Sequence, residues 1–276
     1  MTLVRGVLAT DYQWRNAQDG EFRQAANWNP NSAYPTLYSD LAWWYTAVQG
    51  HAVRVTLPEG DWTDPVKWRF DANKDGTELT FDGSKTVYAP SALPDVAASS
   101  INGEPFAFYD EKSHFFSFER YANKQAAPFV FTNPKWRVLK KDGASQLHFD
   151  SGTFNFYDAD GVSKNFDFTI SHGAPDKTVI GFHGADVSIA NVNIRSRAAV
   201  TELLVDAGTL DAKTKLEIPT QSGGDDRTEV DLVVTNSGTL MAGNLILGYS
   251  GKPRDIKVKV ADNGVFKLPV PASYTF

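Results

Sequence analysis

Three groups of residues have the types and spacing that chemistry needs. The first is Asp71-Ala72-Asn73-Lys74-Asp75-Gly76. Oxygen-bearing side chains at alternate positions, with glycine at the sharp bend, make the first half of a calcium loop, because a hard cation collects many oxygens and the chain must turn tightly to supply them. Asp82 falls at the twelfth position, where a bidentate Glu is usual, and Glu78 stands at a position usually apolar. Calcium on Asp71, Asn73 and Asp75 therefore competes with a plain polar Asp-Gly hairpin built from the same residues. The second group is Trp43-Trp44-Tyr45 with Trp62 and Trp68. Exposed aromatic rings are a platform on which sugars stack, and these five are the candidate binding residues. Alternatively they plug an end of the fold. The third group is His172, His183, Asp225-Asp226 and Arg254-Asp255-Ile256-Lys257. Paired carboxylates and a base are the equipment of polysaccharide cleavage. Here their order is the reverse of the polygalacturonase pattern and elements of it are missing. Each His also sits beside Gly, a turn signal. No catalytic set is assigned.

Whatever holds these residues is built on a repeat. Asp150-Ser151-Gly152-Thr153-Phe154, Asp206-Ala207-Gly208-Thr209-Leu210, Asn236-Ser237-Gly238-Thr239-Leu240 and Asp262-Asn263-Gly264-Val265-Phe266 follow apolar or alternating segments. Alternation of period two means strand. Asp or Asn shortly before Gly supplies a turn, after which strand resumes. The glycines are 56, 30 and 26 residues apart, so one copy has drifted between the first two. A period of this size marks a solenoid, and the expectation is an all-β parallel β-helix, with a β-sandwich as the alternative. Gly152, Gly208, Gly238 and Gly264 should then share one corner. Leu204, Leu210, Val233, Leu240, Val258 and Phe266 should face the core, allowing a register slip of one residue.

Six of the seven Trp lie in the first 68 residues. The expected organisation is an aromatic-rich N-terminal cap over 1–77, then a β-helix over 78–276. A Pro- and aromatic-rich insertion at about 89–128 interrupts it. Leu41 to Gln49 reads as a short helix ending at Gly50.

The net charge of −6, with no basic run beyond Lys140-Lys141, argues against nucleic acid as a partner. No apolar run is long enough for a membrane-spanning helix, so no membrane insertion by this segment is expected. With no cysteine, there is neither a disulfide nor a thiolate site. Met1 to Leu8 lacks the charged start and long apolar region of a signal peptide. Of a cytosolic chain and a mature segment of an exported one, the second is expected, because the repeat opens late and the chain stops just after a rung.

Trp14 followed by Asp19-Gly20, then Ala26-Asn27-Trp28 before Pro30, resembles the opening of autotransporter-type passenger domains of bacterial surface proteins. Gly238 to Gly248 and Val258 to Phe266 resemble their repeats, while Arg15-Asn16 departs from the pattern. The resemblance implies a right-handed parallel β-helix that is secreted or held at the cell surface. It also implies adhesion or a scaffold for a functional insertion; taken with the aromatic residues, the expectation is a structural, adhesive or glycan-binding role toward a glycan or cell-surface ligand. A polysaccharide lyase or glycoside hydrolase on the same scaffold is the alternative.

Overall fold

The computed structural model describes residues 10–37, 40–90, 106–110, 113–120, 130–156, 166–170, 177–194, 200–218, 229–247 and 255–268. They form a β-solenoid of stacked coils, with no α-helix among the described residues. A complete coil lays strands on three faces. β1 (Asp11–Trp14) lies on the first face and β2 (Gly20–Glu21) on the second, while β3 (Trp28–Asn29) folds back on β1. The next coil holds β4 (Leu41–Trp44), β5 (Ala52–Thr56) and β6 (Gly60–Trp62). The third holds β7 (Lys67–Asp71), β8 (Thr77–Asp82) and β9 (Thr86–Tyr88). Pairing is parallel along β1–β4–β7, β2–β5–β8 and β6–β9.

The chain then reverses. β10 (Phe106–Asp110) adds parallel to β7, but β11 (Ser113–Arg120) runs back antiparallel to β10. β12 (Val130–Lys141) continues backwards along the third and second faces, antiparallel to β9 and then β8. At Asp142-Gly143 it turns into β13 (Ala144–Phe156), which runs forward again. Asp142 and Gly143 have φ of 52° and 75°, the pair of left-handed residues a two-residue hairpin requires. A coil of opposite direction is thus set into a parallel stack. The core survives because the antiparallel register still puts inward residues opposite inward residues. Trp136 faces Phe81 with rings stacked at 4.7 Å, and Val138 faces Leu79.

The forward stack continues through β14 (Phe166–Ile170), β15 (Lys177–His183), β16 (Ala185–Ile194), β17 (Val200–Asp206) and β18 (Thr209–Ile218). It proceeds through β19 (Glu229–Thr235), β20 (Thr239–Ala242) and β21 (Leu245–Leu247), and its last described strands are β22 (Asp255–Val260) and β23 (Val265–Lys267). The second face is the parallel ladder β13–β15–β17–β19–β22. The third is β13–β16–β18–β20–β23, and the first takes β14, then the far halves of β16 and β18, then β21.

The four repeat glycines stack at the corner between the second and third faces. Gly152 pairs with Ala185, and the registers beside Gly208, Gly238 and Gly264 align them coil on coil. The drifted copy is His183-Gly184-Ala185-Asp186-Val187, whose glycine has moved by one residue so that Ala185 takes the corner. At Gly238 the constraint is space: a Cβ would lie 2.4 Å from the Val205 carbonyl oxygen of the coil below. That neighbour is backbone and cannot swing aside. Gly238→Ala should therefore lower stability by about 1–3 kcal/mol in urea unfolding. An unchanged midpoint would show that the coils are not in this contact.

Three expectations are corrected. Residues 11–37 and 40–88 are not a cap laid over the stack. They are coils of it, and their tryptophans are its core: Trp14, Trp28, Trp44, Trp62 and Trp68 are buried with Phe22, Phe70 and Phe81. The insertion contains β10 and β11, which belong to the stack; 91–105, 111–112 and 121–129 lie outside the described residues. The helix over 41–49 is β4 followed by a single 3-10 turn, Thr46–Val48. The core pattern holds in parity at Leu210, Leu240, Val258 and Phe266 and slips by one residue at Leu204 and Val233. Leu203 and Val205, and Leu232 and Val234, point in, leaving Leu204 and Val233 half-buried on the outer face. Phe266 packs partly buried against the core. Val258 has the inward position but is 44% exposed, because no described coil covers it.

Candidate functional sites on the outer faces

Strand parity decides which aromatics can meet a ligand. In β4, Ala42 and Trp44 point inward, so Trp43 points out on the first face, and Tyr45 follows it on the same side. Trp43 is the one tryptophan of the seven that is not buried. Its ring stacks on Tyr45 at 5.1 Å with planes 5° apart, and the Arg69 guanidinium on neighbouring β7 lies 4.8 Å from its centre. Asp71 anchors the group. It accepts a hydrogen bond from the Trp43 indole N–H and is paired at 3.0 Å with Arg69 Nε. Burial raises the Asp71 carboxyl above the usual carboxylate range, against the pull of Arg69 and of the Trp43 N–H. Gln49 fastens the corner beneath: its amide donates to the carbonyls of Tyr45 and Asp71, and its oxygen accepts from the N–H of Asn73 at 2.8 Å.

Trp44, Trp62 and Trp68 are withdrawn from the candidate binding platform, because each is sealed in the core and presents no face to solvent. Trp43 and Tyr45 remain. The candidate calcium residues do not converge through their carboxylates. Asp71 is turned to Trp43 and Arg69, and Asp75 accepts from the Gly143 N–H at 3.2 Å across the corner. No group of three His, Cys, Asp or Glu side chains suited to a metal occurs among the described residues.

A second cluster lies on the second face, where three forward coils meet the reversed one. His148 on β13 and His183 on β15 bend toward each other across Gly181, with His148 Nδ1 and His183 Nε2 2.9 Å apart. The glycine makes the room: a Cβ at Gly181 would come within 2.3 Å of His183 Nε2 and 2.5 Å of His148 Nδ1. The outer nitrogens are also engaged. His148 Nε2 meets Gln146 Oε1 at 2.9 Å, and His183 Nδ1 meets Asp206 Oδ2 at 3.2 Å. Asn236 in turn donates to Asp206 at 2.8 Å. Beside the pair, Arg137 on the reversed β12 grips Asp150 with two hydrogen bonds of 2.7 and 2.8 Å. Burial, the His183 ring and the Arg137 charge bring the His148 imidazolium down to about 4 from its ordinary 6.5.

Sequence reading singled out His183 but not His148. The signal existed in the repeat: aligning the drifted copy on its corner places His148 beside Gly181 and His183 beside Asp206. His172, Asp225-Asp226 and Arg254 lie outside the described residues. No described helix is long and apolar enough to cross a membrane. Comparison of the chain with family models, with curated proteins and with solved structures finds no match.

Proposed function

We propose that this β-solenoid is an exported or surface-associated scaffold that binds glycan through its outer first face. The observation that carries the reading is Trp43, the unburied tryptophan, held flat against Tyr45 and backed by Arg69 and Asp71. A pyranose presents an apolar C–H face that packs on an aromatic ring and hydroxyls that need charged or amide partners at the rim. The patch supplies both, on a strand whose backbone is fixed by pairing on each side. Adhesion follows where such a surface is displayed from a rigid rod.

The test is calorimetric titration with a panel of neutral and acidic oligosaccharides. Binding by the wild-type chain should fall at least about tenfold in Trp43→Ala, with the far-ultraviolet circular dichroism unchanged. A panel without a binder, or binding untouched by the substitution, overturns the reading. The alternative, polysaccharide cleavage, is favoured by one observation, the His183–Asp206 contact, in which a carboxylate orients an imidazole as a base requires. Release of reducing ends by the wild type, lost in His183→Ala, would move the conclusion to that reading.

A further inference from the structure

The imidazole pair on the second face carries chemistry that neither the stack nor the glycan patch needs. Its outer ring nitrogens both face acceptors. Gln146 Oε1 lies 2.9 Å from His148 Nε2, and Asp206 Oδ2 lies 3.2 Å from His183 Nδ1. A neutral imidazole carries one N–H, and an acceptor draws it to the nitrogen it faces. With both protons outward, His148 Nδ1 and His183 Nε2 confront each other as bare lone pairs 2.9 Å apart. Two lone pairs at that distance repel unless a cation lies between them. The metal-free protein has another arrangement: turning the Gln146 amide over, so that it donates, moves a proton into the gap and joins the rings by a hydrogen bond.

The distance selects the cation. Imidazole suits zinc, copper and nickel. With metal–nitrogen bonds of about 2.0–2.1 Å, two ligand nitrogens are about 3.3–3.4 Å apart in a tetrahedron but about 2.8–3.0 Å apart at a right angle. The observed 2.9 Å fits the right angle, which belongs to cis positions of a square-planar or tetragonal ion such as Cu(II). The rings, 5.0 Å apart centre to centre, tilt together for both lone pairs to meet on one ion. The surroundings agree. A carboxylate on the far nitrogen, as Asp206 is on His183, orients a ligating imidazole and raises its basicity, and Asn236 holds that carboxylate at 2.8 Å. The Arg137 charge, which repels a dication, is offset by Asp150 and by Glu78 at 3.8 Å. Gly181 leaves the gap clear, since a Cβ there would press on both inner nitrogens. Two imidazoles are fewer than the three side chains of a closed site. The His183 side chain is 28% exposed, so water reaches the open positions.

We propose that His148 Nδ1 and His183 Nε2 are cis ligands of a Cu(II) site on the second face, with Asp206 and Gln146 as positioning residues and water in the remaining positions. The ion replaces the hydrogen bond between the rings and ties β13 to β15. The site does not depend on what the first-face patch binds.

The test is titration of the full chain with Cu(II) at neutral pH, after a chelator has removed any metal, read by calorimetry and by electron paramagnetic resonance. The wild type should bind one equivalent more tightly than any other, with a tetragonal spectrum split by two nitrogens. His148→Gln and His183→Gln should each abolish the two-nitrogen signal and weaken that equivalent at least about tenfold. Asp206→Ala should keep both nitrogens and weaken binding about tenfold, as loss of an orienting partner does. His51→Gln, at an exposed histidine away from the pair, should change nothing. Circular dichroism checks that each variant folds, and the nitrogen count on the wild type stands by itself should one fail. A wild type with no tight equivalent, a spectrum with a single coupled nitrogen, or a two-nitrogen signal that survives either histidine substitution overturns the proposal. Unchanged affinity in Asp206→Ala overturns the part given to that carboxylate.

Discussion

Trp44→Ala should cost about 3–5 kcal/mol of stability, the range for emptying a large aromatic site in a packed core. Trp44 is wholly buried at the centre of the N-terminal coils. It stacks on Trp68 at 5.5 Å and on Phe70 at 5.2 Å in the next coil, and meets Trp28 at 5.3 Å and Phe81 at 5.0 Å edge-on. An alanine leaves a void bounded by rings that belong to two different coils, one on each side of its own. Those rings are tied to their own strands, so the void cannot close by one small shift, and the loss includes a cavity term beside the transfer term. Urea unfolding followed by circular dichroism is the measurement. A loss within about 1 kcal/mol of wild type, the scale of ordinary surface changes, would mean that these coils do not share one core. Trp44→Phe refines the test. The Trp44 indole N–H is buried without a partner, so phenylalanine removes volume but also removes an unsatisfied donor. Its loss should be less than half that of alanine.

The contrast between Trp44 and its neighbour Trp43 shows how far sequence could be read. Once 41–44 is known to be strand, parity assigns one ring to the core and the other to solvent. Reading the segment as helix lost that parity, and with it the division of the binding platform. The helix reading was reasonable locally, since no turn signal breaks the segment before Gly50. What was missed is longer in range: Trp44 faces Phe70, Val53 faces Leu79 and Trp62 faces Tyr88 in successive coils, each pair 26 residues apart. The same period separates Gly238 from Gly264. The N-terminal coils keep the period but turn at Gly50, Gly60 and Gly76 without the Asp-x-Gly signature, so they did not look like repeats.

The reversed coil was illegible for another reason. Asp142-Gly143 is a clear hairpin signal, but a hairpin says only that β12 and β13 pair. Whether the strand beyond β12 is parallel or antiparallel depends on which earlier coil lies against it, and no local residue encodes that. The imidazole pair inherits the difficulty. It joins strands 35 residues apart in sequence, and Arg137 reaches it only because the chain reversed.

That same pair makes stability depend on pH in a window where few other side chains titrate. His148 is 8% exposed, and its imidazolium is held down to about 4. The groups around it are the His183 ring, the Arg137 guanidinium, the Asp150 carboxylate and, beyond His183, Asp206. In the unfolded chain the same imidazole takes up a proton near its ordinary value of 6.5. Between those two values the unfolded state binds more protons than the fold, so stability rises with pH. Acidification from about 6.5 to about 4 should therefore remove up to about 3 kcal/mol through this residue, at 1.36 kcal/mol per unit of pH. Other groups contribute to the raw curve, so the quantity to measure is the difference between wild type and His148→Gln. Glutamine keeps a polar partner for His183 and Gln146 but cannot take up a proton. The variant should lose some stability at pH 8, where it gives up a fitted ring, and less on acidification, so the two curves converge toward pH 4. Curves that stay parallel from pH 8 to pH 4 would mean that His148 is protonated as readily in the fold as out of it. Burial between Arg137 and His183 would then not be the force that sets its charge.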